Sequence, residues 1–243
     1  MFKQTYELAR LVIISSLRRN IILASFLIML PLILAAWLFE ISNTGFQSGF
    51  ILDAGSGLMT LFAVLLLGVL GFEHLFWVNE QPTPWFLFSR IRSRIIFPLG
   101  KFCGISLVLI SVLIVFALLL SLLIYLTSGS FILSPFRVAF IVWAEYSVFL
   151  SVFIFFSTFL SRLMTVGMII PFVFIANSAS FLKTFFPNWL GELLLIVIPD
   201  AGIFEAVIET EEIFSLFLVL AYSIFISLFY ITLAGFVLRK KDL

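Results

Sequence analysis

Residues 103–126 read CGISLVLISVLIVFALLLSLLIYL, a run without one charged side chain. A helix rising about 1.5 Å per residue needs about 20 such residues to cross the roughly 30 Å hydrocarbon core of a bilayer. The run therefore reads as a membrane span, and five further apolar runs flank it, at 21–40, 56–78, 138–160, 164–182 and 214–238. The expectation is an all-α, polytopic membrane protein with six spans in one transmembrane domain, residues 1–243. Composition agrees: 63% of the chain is apolar, 11% is charged, 32 residues are Phe and the mean hydropathy is +1.26. A soluble chain averages about 45–50% apolar and about 25% charged residues, so a cytosolic enzyme or a nucleic-acid module is excluded. A single cysteine, Cys103, permits no internal disulfide, and His74 is the only histidine. Together they are too few for a zinc or copper cage within one chain.

The first span is preceded by MFKQTYELARLVIISSLRRN, which has no small-residue cleavage site and is expected to stay in the mature chain. Phe2, Tyr6, Ala9, Ile13 and Leu17 recur at helical spacing, with Lys3, Glu7, Arg10 and Arg18 on an adjacent stripe. That pattern predicts an interfacial helix over residues 1–20, against the plainer alternative of a polar tail. Threading six spans puts all of the 14 Lys and Arg residues except Arg137 and Lys183 on one side. Asp53, Glu192, Asp200, Glu205, Glu209, Glu211 and Glu212 fall on the other, with Glu40 at its rim. Basic residues are retained on the cytoplasmic side, so both termini are expected there.

Two connections exceed what a turn requires. Residues 79–101, NEQPTPWFLFSRIRSRIIFPLGK, combine Pro82 and Pro84, the aromatic cluster Trp85, Phe86 and Phe88, and the alternating Arg90, Arg92 and Arg94. Arginine beside aromatic side chains is the composition of an interface, so this cytoplasmic segment reads as an amphipathic helix offered to a partner. Binding anionic head groups is the alternative. On the outer side, residues 183–213 hold the run Leu190 to Ile198, too short to span and closed by Pro199 and Asp200. One or two short helices, dipping into the outer leaflet or lying on it, are expected there.

Catalytic signatures fail one after another. HExxH needs a second histidine, no G-x-S-x-G is present, and Gly100-Lys101 is followed by Phe102 where a phosphate-binding loop needs Ser or Thr. This chain is not expected to hydrolyse ATP itself. Charges within spans are costly and usually functional. Glu145, beside Tyr146 in the outer half of the fourth span, is either a cavity-facing residue in a passage or a rim residue paired with Arg137 or another polar neighbour. Glu73 and His74, at the cytoplasmic end of the second span, form a solvated helix end or a proton relay. Asn177, Ser178 and Ser180, like Ser147, Ser151, Ser157 and Ser161, suit hydrogen bonds between helices. Gly100 and Gly104 form a GxxxG where the third span begins, and Pro31 and Pro171 predict kinks.

This arrangement resembles the six-span permeases of type 2 ATP-binding-cassette exporters. The family's loop between the second and third spans carries a glutamate, Gly-Thr, leucines, Ser, Pro, Ser-Arg and then Gly-Lys; Glu80, Thr83, Leu87, Ser89, Ser93, Arg94, Gly100 and Lys101 stand at matching places. The tail FVLRKKDL is similar to the family's ending, and ELAR…LRRN resembles its elbow helix. Pro82, Trp85 and Ile91 depart from the usual glycine, acidic residue and proline. The resemblance implies a half-size subunit of a bacterial inner-membrane exporter that pairs with a second copy. Each copy would lay a coupling helix, about 80 to 90, into a separate ATPase chain, two of which would carry the ATP and Mg²⁺; this chain would hold no cofactor. Glu80, Thr83, Trp85, Leu87, Ser89, Arg90 and Arg94 would make that coupling contact. Residues 3–18 would brace the ATPase side, 184–208 would form the exit gate, and Glu145 and Asn177 would be candidates for the passage. An ion- or proton-coupled transporter using Glu145 and Glu73, and a membrane scaffold for complex assembly, are the rival expectations. The Phe, Leu and Ser content would suit a lipid, a hydrophobic peptide or a drug-like cargo.

Overall fold

The computed structural model describes residues 2–18, 49–76, 94–129, 131–179, 198–209 and 213–240, with isolated positions between 20 and 38. Among the described residues there are seven helices and no strand: α1 (Phe2–Arg18), α2 (Gly49–Leu75), α3 (Ile96–Ser128), α4 (Ser134–Ser157), α5 (Arg162–Asn177), α6 (Gly202–Glu209) and α7 (Ile213–Lys240). Four of them are long and apolar enough to cross a membrane: Leu52–Leu75, Ile96–Ser128, Ser134–Ser157 and Phe214–Lys240. They coincide with four of the runs expected as spans. The run at 164–182 overlaps a shorter apolar helix, α5, with Pro171 inside it. The run at 21–40 lies largely outside the described residues.

α3 starts seven residues before the run that announced it. Its N-terminal flank is Ile95, and Ile96, Phe97 and Pro98 are buried. A helix's first N–H groups have no intrahelical partner, so Pro98 in the first turn removes no hydrogen bond. Residues 96–101, read as the end of the cytoplasmic segment, therefore belong to the helix. α3 ends where Gly129 adopts φ 71° and its N–H reaches Tyr125 O at 2.9 Å. This left-handed cap suits glycine, and α4 follows with Pro135 in its first turn.

α4 is the central helix, touching α2, α3, α5, α6 and α7, and it is buried on nearly every side. Aliphatic and aromatic side chains from α2, α3 and α4 make one core, and a second lies between α4, α6 and α7. Between α2 and α4 the rings of Phe72, Phe76 and Phe153 pack with centroids 5.9–6.3 Å apart.

α1 is docked on α3 through the Gly100/Gly104 pair. A Cβ on Gly100 would stand 2.7 Å from Leu8 Cβ, and one on Gly104 would stand 2.7 Å from Val12 Cβ. These contacts advance by one turn on both helices, so α1 and α3 run side by side here. The docked face is Leu8, Ala9, Val12 and Ser16, whereas Tyr6 and Leu17 of the expected apolar stripe are exposed. The two glycines bring α1 close enough for Leu8 and Val12 to lie directly over them, and that rotation of α1 leaves Tyr6 and Leu17 outward.

Candidate functional site

Six of the residues expected to meet an ATPase, Glu80, Thr83, Trp85, Leu87, Ser89 and Arg90, lie outside the described residues. Arg94 is described and half-buried, and its Nη1 donates to the carbonyls of Leu238 at 2.6 Å and Arg239 at 3.1 Å. The last carbonyls of a helix lack intrahelical donors and carry the negative end of its dipole, so a guanidinium is well placed there. Arg94 thus ties the end of the 79–101 segment to the end of α7.

Other groups gather at this same end. Ser16 Oγ donates to Val12 O at 2.9 Å and lies 2.9 Å from His74 Nε2, joining α1 to the last turn of α2. Arg162, at the start of α5, sits over the rings of Phe72 and Phe76, 5.2 and 5.9 Å from their centroids. Lys101 is buried, its Nζ 5.7 Å from the Phe97 ring centroid, in a hollow shared with Ser157, Thr158 and Leu238. Arg94, Lys101, Arg162, Arg239 and Lys240 are therefore collected at one end of the bundle.

Glu145 lies on the central helix and is only 7% exposed. Glu205 of α6 is within its electrostatic reach. The expected pairing with Arg137 is not formed: the two lie eight residues apart on α4, about 12 Å along the axis, and Arg137 Nη2 donates to Val207 O at 2.8 Å instead. Among the described residues no hydrogen bond or ion pair reaches the Glu145 carboxylate. Asn177 is exposed at the end of α5, and its Nδ2 donates to Val173 O of its own helix at 2.9 Å. Among the described residues, no hydrogen bond joins the two passage candidates and none carries Asn177 to another helix. α6 is one short helix within residues 183–213, and Asp200 opens it by accepting from Gly202 N–H at 3.0 Å; residues 180–197 lie outside the described residues.

The polar contacts that hold α4 were only partly anticipated. Ser147 faces Ser106 of α3, Oγ to Oγ 3.2 Å, and Trp143 Nε1 donates to Ser106 Oγ at 2.9 Å. From α7, Ser223 donates to Ala144 O at 2.7 Å and Ser227 to Ser147 O at 3.3 Å. Ser151 donates to Val148 O at 2.6 Å and Ser157 to Ile154 O at 2.7 Å, both within α4. Ser106, Trp143, Ser223 and Ser227 were missed; the one available signal was the four-residue spacing of Ser223 and Ser227 in an apolar run, which puts both on one face.

Among the described residues, no cluster of His, Cys, Asp and Glu could hold a metal ion. In comparisons with known proteins, no family model matches the chain and no curated protein matches it in sequence.

Proposed function

We propose that the chain is the membrane-spanning subunit of an ATP-driven exporter in a bacterial cytoplasmic membrane, working as a pair and driven by two separate ATPase chains. One observation carries this reading: the N-terminal helix, the end of the 79–101 segment and the C-terminus of the last helix meet at the basic end of the bundle. Arg94 bonds to α7, and α1 docks on the start of α3 over Gly100 and Gly104. A force applied to residues 80–90 would reach α3 directly and α7 through Arg94, which is what a coupling element has to do. Four apolar helices of spanning length, a shorter fifth and an apolar 21–40 run support the six-span topology. Both termini belong on the cytoplasmic side under this reading, and α6 with its flanks belongs to the exit.

The test is a double substitution, Trp85→Ala with Arg90→Ala, in the chain purified with its ATPase. ATP hydrolysis separated from transport, with the complex still assembled, is the expected result; wild-type coupling in that variant would remove residues 80–90 from the coupling role.

A second reading is favoured by the buried Glu145. A buried carboxyl group on the central helix, with no hydrogen bond among the described residues and with Glu205 nearby, suits an ion or proton site in a gradient-driven transporter. Flux through that transporter would stop in Glu145→Gln and on collapse of the gradient, whereas the exporter requires ATP and tolerates loss of the gradient.

A further inference from the structure

A cleft of about 320 Å³ opens between α2, α4 and α5. On α2 its wall is Val64, Gly68 and Phe72, at successive turns; on α5 it is the face that includes Val166 and Ile170; Tyr146 of α4 closes the inside. Among the described lining residues, only Tyr146 carries a polar side-chain atom. Val64 is 48% and Ile170 66% exposed, so the cleft opens sideways, between two helices, onto the outer surface of the bundle. It is about twice the size of the roughly 150 Å³ apolar cavities that take up benzene. In a bilayer the surface onto which it opens is covered by lipid.

Charge marks one end of this cleft. Arg162 precedes Val166 by one helical turn, and its guanidinium lies 5.2 Å from the centroid of Phe72, which lines the wall. From Arg162 to Val173, the last cleft residue of α5, is about 16 Å along the helix, half of a roughly 30 Å hydrocarbon core and so the depth of one leaflet. Guanidinium is permanently charged and its fork of N–H donors matches a phosphate. A slot one leaflet deep, apolar along its length, with a cation at its membrane-surface end, has the form of a lipid tail and its head.

We propose that the cleft between α2, α4 and α5 binds one acyl chain of an anionic phospholipid, whose headgroup phosphate lies at Arg162. Gly68 makes this testable without disturbing the core, because a Cβ there would meet nothing within 4 Å. A larger side chain at that position enters the cleft rather than a neighbour. The site stands apart from the exporter reading, since neither ATP nor a second protein takes part.

The full chain is reconstituted in phosphatidylcholine vesicles containing a small share of phosphatidylglycerol with a photoreactive diazirine on one acyl chain. After irradiation, labelled peptides are mapped by mass spectrometry. Label is expected to concentrate on 64–72 and 166–173 above the exposed face of α7 that carries Phe214 and Phe225, and to be competed by unlabelled phosphatidylglycerol. Gly68→Leu should lower it roughly tenfold, the effect of losing about 1.4 kcal/mol of binding, at an unchanged unfolding midpoint. Gly57→Leu, also in open space but outside the cleft, should leave it alone. If Gly68→Leu does not fold, Ile170→Trp fills the cleft from its open side and should give the same loss. Arg162→Gln should abolish the preference for the phosphatidylglycerol probe over a phosphatidylcholine one while retaining label in the cleft. Label spread evenly over all exposed helices, or unaffected by both filling variants, would overturn the proposal. So would an absence of label together with disulfide cross-linking of Ile169→Cys between copies, since a second copy would then cover the cleft.

Discussion

Placing Val at position 104 should undock α1 while leaving the spanning helices packed. A Cβ at Gly104 would lie 2.7 Å from Val12 Cβ, 3.0 Å from Ala9 O and 3.1 Å from Ala9 Cα. Carbon atoms rest about 3.5–4.0 Å apart, so α1 has to withdraw by about 1 Å. Two of the three atoms in the way are backbone, and no rotamer change relieves them. Overpacking of this kind costs about 1–3 kcal/mol, which corresponds to about 5- to 150-fold in the ratio of docked to undocked helix. The cost falls on one interface, because the bonds that hold α4 to α3 and α7 do not involve α1. The readout is maleimide labelling of Val12→Cys in a Cys103→Ser background. Val12 is 2% exposed, so its thiol reacts only when α1 lifts. The labelling rate should rise by the factor above in Gly104→Val and stay at the wild-type value in Gly167→Val, where a Cβ meets nothing within 4 Å. A Val12→Cys thiol as protected in Gly104→Val as in the parent would refute the docking of α1 over the two glycines.

Three further substitutions separate the roles assigned above. Ser106→Ala removes the hydroxyl shared by Trp143 and Ser147 and should destabilise the bundle by about 0.6 kcal/mol, and not beyond about 1.7, measured by unfolding in mild detergent; a double cycle with Ser147→Ala should show coupling. Arg94→Gln loses the cation at the end of α7 and should cost about 1 kcal/mol or less, seen as faster trypsin cleavage at Arg239 and Lys240. Glu145→Gln keeps the shape and removes the charge: ATP-dependent transport should survive it, and loss of all flux would move the mechanism to a gradient-driven one.

The long apolar runs were legible because a spanning helix needs only length and the absence of charge, and α2, α3, α4 and α7 lie where those runs do. The start of α3 was not, since Arg94, Pro98 and Lys101 read as the end of a connection; Pro98 in a first turn and a buried Lys101 allow the helix to begin at Ile96. The Gly100/Gly104 spacing announced a close approach without naming the partner, and α1 could not be read as that partner because its spacing marked Tyr6 and Leu17, not Leu8 and Val12, as the apolar face. Glu145 was legible as a costly residue in a span. Its neighbour was not: Arg137 looked available in sequence, but the turn of the helix sends it to Val207. Which serines bond between helices depends on the rotation of each helix about its axis, and apolar composition all round leaves that rotation unspecified.

The most direct test of the exporter reading is purification of the chain from its native membrane in mild detergent, with identification of the co-purifying proteins and assay of ATP hydrolysis in the eluate. An ATP-binding-cassette ATPase in near-equal amount, with activity that rises and falls with it, is the result expected. Recovery of the chain alone, without ATPase activity, would contradict the exporter.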